Sequence, residues 1–374
     1  MLFALSGLGH SLKQSKNAWL NLNQIYVFIM MRLKIQTVLL WTIFFVFTAA
    51  IPAFALDESS LPHSFKTRAI PYFESATKGV MITPDQLHIH YRIFEPSDGP
   101  VKGNVVIISG RTEFMRKYAE LLYDLRLSGY RFFIYDHRGQ GESERLLTDT
   151  RKGYVNHFKD YVSDLEQFMN TVVKTTGADN TYFLAHSMGG AIATRYVIEH
   201  PESVTAMVAS SPMFQASTGN TLPAVAYQLL NIFIFMGQGE SYTLGRSAED
   251  WQQSFVLNEV TTSKARYDYA QQAFKENNAL IVAGPTHRWL KEALDVGFWI
   301  MPRAELIKTP LLVLQAGDET VVDSASEVDV CQQAAQCSVS VFPGAKHQLL
   351  MEQDNIRNEV IKQSLAFFAR YENK

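Results

Sequence analysis

Phe183-Leu184-Ala185-His186-Ser187-Met188-Gly189-Gly190 is the stretch that decides how this chain folds. An apolar, strand-like run enters it, and the small residues Ala191-Ile192-Ala193-Thr194 open a helix behind it. A serine on such a strand-to-helix turn forms a nucleophile elbow, a sharp turn that strains the serine backbone and stands its Oγ clear of the sheet. Strand and helix can pack closely only if the residues two positions to either side are small. Gly189 meets that need, and Ala185 stands where a glycine is usual. The plain alternative is a buried serine at an ordinary strand–helix junction.

Two downstream segments favour the elbow. Leu311-Leu312-Val313-Leu314-Gln315 reads as a buried strand running into Ala316-Gly317-Asp318-Glu319-Thr320-Val321-Val322-Asp323. Val339-Ser340-Val341-Phe342 reads as a last strand, followed by Pro343-Gly344-Ala345-Lys346-His347. An acid and a histidine thus stand on loops just past strand ends, where open α/β sheets carry their chemistry. Nucleophile, acid, histidine is also the triad order of α/β-hydrolases. Ser187 is the expected nucleophile and His347 the base that activates it. A carboxylate then orients the imidazole and stabilises the imidazolium. Glu319 is the favoured acid and Asp318 the alternative, since neighbouring loop residues cannot both face one ring. Asp323 reads as a helix N-cap. Among the ten histidines, His186 points elsewhere, and His137, His157 and His287 read as structural or cap residues.

Val105-Val106-Ile107-Ile108 is a further buried strand and ends in Ser109-Gly110-Arg111-Thr112-Glu113. The backbone N–H groups of Arg111 and Met188 are the expected oxyanion hole, which binds charge present only in the transition state. Strands at 105–108, 131–135, 182–184, 206–210, 311–315 and 339–342 alternate with helical stretches, the pattern of a mostly parallel sheet. Residues 79–82 and 87–93 read as an antiparallel hairpin at its edge. About a hundred residues separate the fourth and fifth of these strands, too many for a plain crossover. The expected organisation is therefore a leader over 1–55, core over 56–212, a helical cap over 213–300 and core again over 301–374. The run 222–236 is apolar on nearly every side, so part of it is expected to face the core and part to line an acyl pocket or touch membrane. Lys264-Ala265-Arg266-Tyr267 opens a second, charged cap helix. Arg266 and Arg288 are the candidates there for a substrate phosphate.

Gly110-Arg111-x-Glu113, Asp136-His137-Arg138-Gly139-Gln140-Gly141-x-Ser143 and Ala185-His186-Ser187-Met188-Gly189-Gly190 together resemble the monoacylglycerol lipase-like α/β-hydrolases. Ser211-Pro212-Met213-Phe214, Arg266-Tyr267, Gly284-Pro285-Thr286-x-x-Trp289, Gln315-Ala316 and Gly344-Ala345-x-His347 resemble its bacterial lysophospholipase L2 subgroup. The resemblance runs from about Lys78 to the C-terminus. It implies a serine esterase of lysophospholipids or monoacylglycerols, and a glutamate at the triad acid position, hence Glu319. No cofactor or metal is expected, since no His/Cys/carboxylate cluster with ligand spacing stands beyond the triad. Transacylation to a lipid alcohol is an alternative through the same acyl-enzyme. A catalytically dead, lipid-binding hydrolase fold is a more distant one.

Residues 1–55 hold four basic residues and no acidic one. Met31-Arg32-Leu33-Lys34, an apolar core over 37–50 and Ala53-Phe54-Ala55 make the three parts of a secretory signal peptide. An export leader, to the bacterial periplasm or beyond, departs from the resembled subgroup. The alternative is an uncleaved inner-membrane anchor, since the apolar run approaches the ~20 residues that span a bilayer. Removing the leader takes the net charge from −3 to −7. That argues against nucleic-acid partners and against a purely electrostatic hold on anionic lipid, and it leaves a lipid substrate and a membrane surface as expected partners, with oligomeric state open. The two cysteines, Cys331 and Cys337, are either a short disulfide suited to an exported protein or two separate thiols.

Overall fold

The computed structural model describes residues 55–372. Residues 1–54, nearly all of the expected leader, lie outside the described part. The described chain forms one eight-stranded sheet in the order β1-β2-β4-β3-β5-β6-β7-β8. These strands are β1 Thr77–Ile82, β2 His88–Phe94, β3 Asn104–Ile108, β4 Arg131–Tyr135, β5 Thr181–His186, β6 Ala206–Ser210, β7 Leu311–Ala316 and β8 Cys337–Phe342. β1–β2 and β2–β4 pair antiparallel, and every pair from β4 to β8 is parallel.

β3 and β6 are buried along their whole length, as parallel strands covered on both faces should be. Successive side chains of a strand point to opposite faces. Val106 and Ile108 accordingly join one apolar layer, with α2 (Phe158–Phe168) and α3 (Met188–Glu199), while Val105 and Ile107 join the other, with α1 (Ala119–Leu125) and α8 (Asp354–Ala369). Short helical turns over 58–74 complete that second layer through Leu61, Phe65, Ala69 and Phe73, spaced four apart and buried. The sequence reading assigned nothing to this segment. Leu56 before it is 3% exposed, and its N–H donates to Asp124 on α1 at 3.0 Å.

Between β6 and β7 run α4 (Pro223–Phe233), α5 (Lys264–Glu276) and α6 (His287–Ile300). The reading grouped all three in the cap. α6 also belongs to the core, because Ala293, Leu294, Val296 and Ile300 share one face and pack into the first layer. In α4 only Leu230 is buried. Leu222, Val225, Leu229, Ile232 and Met236, at helical three- and four-residue spacing, stand exposed along one side with Phe235 beside them.

Beyond β7, α7 (Ser324–Gln333) starts at Asp323, whose carboxylate accepts from the Ala325 N–H as an N-cap. Cys331 near its end is bonded to Cys337 at the start of β8. A bridge over so short a loop removes little unfolded-state entropy. The Cys331→Ser/Cys337→Ser variant should therefore lose about 2 kcal/mol of unfolding free energy, read from the urea midpoint. Alkylation of the unfolded wild type should label neither cysteine until a reductant is added.

Candidate active site

The strand order reverses at β3. From there the chain steps one way to β4 and the other way to β5, β6, β7 and β8. The carboxyl ends of strands at such a switch leave a crevice, and the loops after β3 and β5 meet in it. Ser187 follows β5 with φ 51° and ψ −119°, a conformation only a sharp turn imposes on a side-chain-bearing residue. The turn brings the first residues of α3 onto the end of β3. A Cβ on Gly189 would lie 2.1 Å from the carbonyl oxygen of Ile108, and one on Gly190 2.5 Å from Pro212 Cβ.

The structure brings Ser187, His347 and Glu319 together. His347 Nε2 lies 2.8 Å from Ser187 Oγ, and His347 Nδ1 lies 2.8 Å from Glu319 Oε2. The second Glu319 oxygen accepts from the Val321 N–H at 2.7 Å and the Val322 N–H at 3.2 Å. Burial alone would raise this carboxyl's pKa, but His347 and the two amides hold it below its ordinary value. Asp318, the alternative acid, is exposed, and its N–H is tied to the Ala345 carbonyl at 2.9 Å. Three other histidines pair with backbone carbonyls. His186 Nδ1 pairs with the Ser210 carbonyl, His137 Nε2 with that of Ser109, and His287 Nδ1 with that of Gln238. Burial pushes both His186 and His137 down to about 4. His157 precedes α2, where its N–H donates to Asp160.

The N–H groups of Arg111 and Met188 donate to no carbonyl or side chain of the described chain. For Met188 this follows from its place in the first turn of α3, where N–H groups have no helical partner. The Arg111 loop is fixed by residues whose part in this the sequence reading did not see. Glu113 Oε2 accepts from the Gly110 N–H at 2.7 Å and the Tyr118 hydroxyl at 2.5 Å, and Oε1 accepts from Lys117 Nζ at 2.7 Å. Burial would raise Glu113, but Lys117, His186 and these donors bring it down to about 2. Gln140 donates to the Gly110 carbonyl and accepts from the Thr112 N–H. Asp136 accepts from the N–H groups of Met115 and Glu142. All three lie just past buried apolar strands, and a polar residue so placed was the available signal.

Ser187 and His347 open on a cavity of about 320 Å³. Its wall includes Met213, Val260, Phe274, Leu290, Val322 and Met351. The two arginines expected to hold a phosphate do not serve as such. Arg266 borders the cavity, but its guanidinium donates to Glu120 (2.7 and 2.9 Å), Asp354 (2.5 Å) and the Glu352 carbonyl (2.6 Å). Buried at 2% exposure with these partners, it ties α5 to α1 and α8. Arg288 stands beside Gly239, outside the cavity lining.

Beneath the Glu319 loop, Glu327 of α7 is fully buried and neither carboxyl oxygen has a hydrogen-bond partner. Burial, with Glu319 and Asp323 nearby, pushes it up to about 9. The folded protein thus holds a proton that the unfolded chain releases above its ordinary value near 4.3, and stability falls as pH rises between the two values. Glu327→Gln removes this dependence. The variant should match wild type near pH 4 and gain on it by at most about 1.4 kcal/mol per pH unit up to pH 9, measured by chemical unfolding at several pH values.

Residues 99–354 match the family described as serine aminopeptidase, S33. Lysophospholipase L2 of Escherichia coli K12 is 37% identical over 277 residues, which is 71% of this chain and 80% of that protein. A Haemophilus influenzae protein named probable lysophospholipase L2 is 31% identical over 295 residues, 78% of this chain and 92% of the relative. A soluble variant of Saccharomyces cerevisiae monoglyceride lipase superposes with a TM-score of 0.62 at 18% identity, over 79% of this chain and 96% of that one. This last likeness speaks for the fold alone. The family description names a peptidase and the relatives' names are those of lipid esterases, so substrate is a matter for the cavity. With an α/β-hydrolase sheet and a family match across most of its described length, the chain belongs to the S33 serine aminopeptidase family.

Proposed function

We propose that this protein is a serine carboxylic-ester hydrolase of single-chain lipids, with lysophospholipids as first substrate class and monoacylglycerols as second. The observation that carries the reading is the Ser187–His347–Glu319 hydrogen-bonded chain opening on a cavity whose wall carries both apolar and charged side chains. An acyl chain suits the apolar part of that wall, Met213, Phe274, Leu290, Val322 and Met351, because its burial there removes apolar surface from water. The family match supports a serine hydrolase, and the lysophospholipase relatives support the same choice of substrate.

The chemistry follows from the atoms. Ser187 Oγ attacks the ester carbonyl while His347 Nε2 takes its proton. The oxyanion then sits between the N–H groups of Arg111 and Met188, donors already fixed and unengaged. Glu319 remains ionised against Nδ1 and stabilises the imidazolium. His347 returns the proton to the departing glycerol oxygen, leaving Ser187 acylated. Water, deprotonated by the same ring, releases the fatty acid.

Fatty-acid release by the purified protein from a lysophospholipid and a monoacylglycerol of equal chain length tests this. Ser187→Ala should lower both rates at least about a thousand-fold without changing the unfolding midpoint. Appreciable turnover by that variant would remove the assignment.

Export and contact with a membrane surface belong to the same proposal. Support comes from the leader pattern, the Cys331–Cys337 bond and the exposed apolar side of α4. N-terminal sequencing of protein from the native host should begin at Leu56. The protein should float with phospholipid vesicles, and Leu229→Ser/Phe235→Ser should weaken that several-fold. Equal flotation of the variant would rule out α4 as the contact.

A further inference from the structure

We infer that the Arg111 side chain is the receptor for the phosphodiester of a glycerophospholipid headgroup, the group that sets lysophospholipids apart from neutral glycerides. The inference rests on the esterase reading above and deepens it.

Four Lys or Arg side chains reach the cavity wall: Arg111, Lys117, Arg246 and Arg266. Lys117 is paired with Glu113 at 2.7 Å, and Arg266 with Glu120 and Asp354. Arg246 is half exposed and lies 3.8 Å from Asp250. Arg111 alone of the four has no carboxylate within ion-pair distance among the described residues. Its Nη2 donates to the Ala283 carbonyl, Nε is buried without an acceptor, and Nη1 donates to no group of the described chain. The guanidinium lies over the Trp289 ring, 4.8 Å from its centroid. Contact with the ring face holds it in place and leaves Nη1 at its edge. Burial lowers it to about 10, so it is still protonated at neutral pH. A partly buried cation with Nη1 uncommitted is a site for an oxyanion, because guanidinium–phosphate hydrogen bonds are charge-assisted. The carboxylates of Asp250 and Glu259 also border the cavity. Asp250 is engaged by the N–H and hydroxyl of Ser247, and Glu259 is exposed.

Position supplies the second argument. In the mechanism proposed above, the Arg111 backbone N–H is one of the two donors to the ester oxyanion. In a lysophospholipid a glycerol backbone separates the acyl ester from the phosphodiester, a span comparable to that from an arginine's amide to its own guanidinium. One residue can therefore hold the reacting carbonyl with its main chain and the headgroup with its side chain. A monoacylglycerol would use only the first.

The test compares kcat/KM for a lysophosphatidylcholine and a monoacylglycerol of the same acyl chain, in wild type, Arg111→Met and Arg111→Lys. The lysophospholipid-to-glyceride ratio should fall about ten-fold or more in Arg111→Met, mainly through KM, and recover in part in Arg111→Lys. An unchanged ratio overturns the inference while leaving the esterase reading in place. Wild type inactive on both lipids removes both. If Arg111→Met does not fold, wild type decides. Glycerophosphocholine should compete with a neutral p-nitrophenyl ester where glycerol does not. Failure to compete, or equal competition by inorganic phosphate, overturns the headgroup assignment.

Discussion

The approach of α3 to the end of β3 is the constraint on which the site depends. Gly189 lies so close to the Ile108 carbonyl that no side chain fits between them. The contact pins the helix N-terminus above the sheet and leaves Ser187 at positive φ, with its Oγ turned into the crevice. It also sets the Met188 N–H alongside the Arg111 loop, because both flank the same strand end. Strain at one residue is tolerable because β3, β5 and β6, buried on both faces, leave the turn nowhere to relax.

Around this elbow the protein holds its loops with buried charge. Glu113 with Lys117, Arg266 with Glu120, and Arg138 with Asp164 each satisfy a carboxylate with a fitted donor. Losing one partner of such a pair leaves an uncompensated buried charge, typically 3–5 kcal/mol. These pairs therefore fix loop geometry more than they add net stability. Arg111 lies among them without a carboxylate, and the contrast sets it apart from structural arginines.

The sheet was legible because parallel strands buried on both faces read as unbroken apolar runs. Ser187, Glu319 and His347 were legible because the chemistry sits just past those runs in a fixed order. Arg266 misled because a sequence displays a cation without its partners, and Arg288 because a sequence does not show which cap residues line the cavity. The carboxylates on Arg266 come from Glu120 and Asp354, far from it along the chain. Arg111 was named only for its amide, since nothing local shows that its side chain turns into the cavity. The segment 58–74 went unread because its four-residue apolar spacing is carried by several short turns rather than by one clear helix.

The burial of Leu56 bears on the order of events in the life of the chain. Its amide is held by Asp124 beneath the surface, and a protease needs several residues on either side of a bond to lie extended in its cleft. On the carboxyl side of the Ala55–Leu56 bond, the folded protein buries and tethers Leu56. On the export proposal, a peptidase removing residues 1–55 would have to act on the chain before α1 and its neighbours close over that point. Under that proposal processing and folding are in a race, and a chain that folds first would keep its leader.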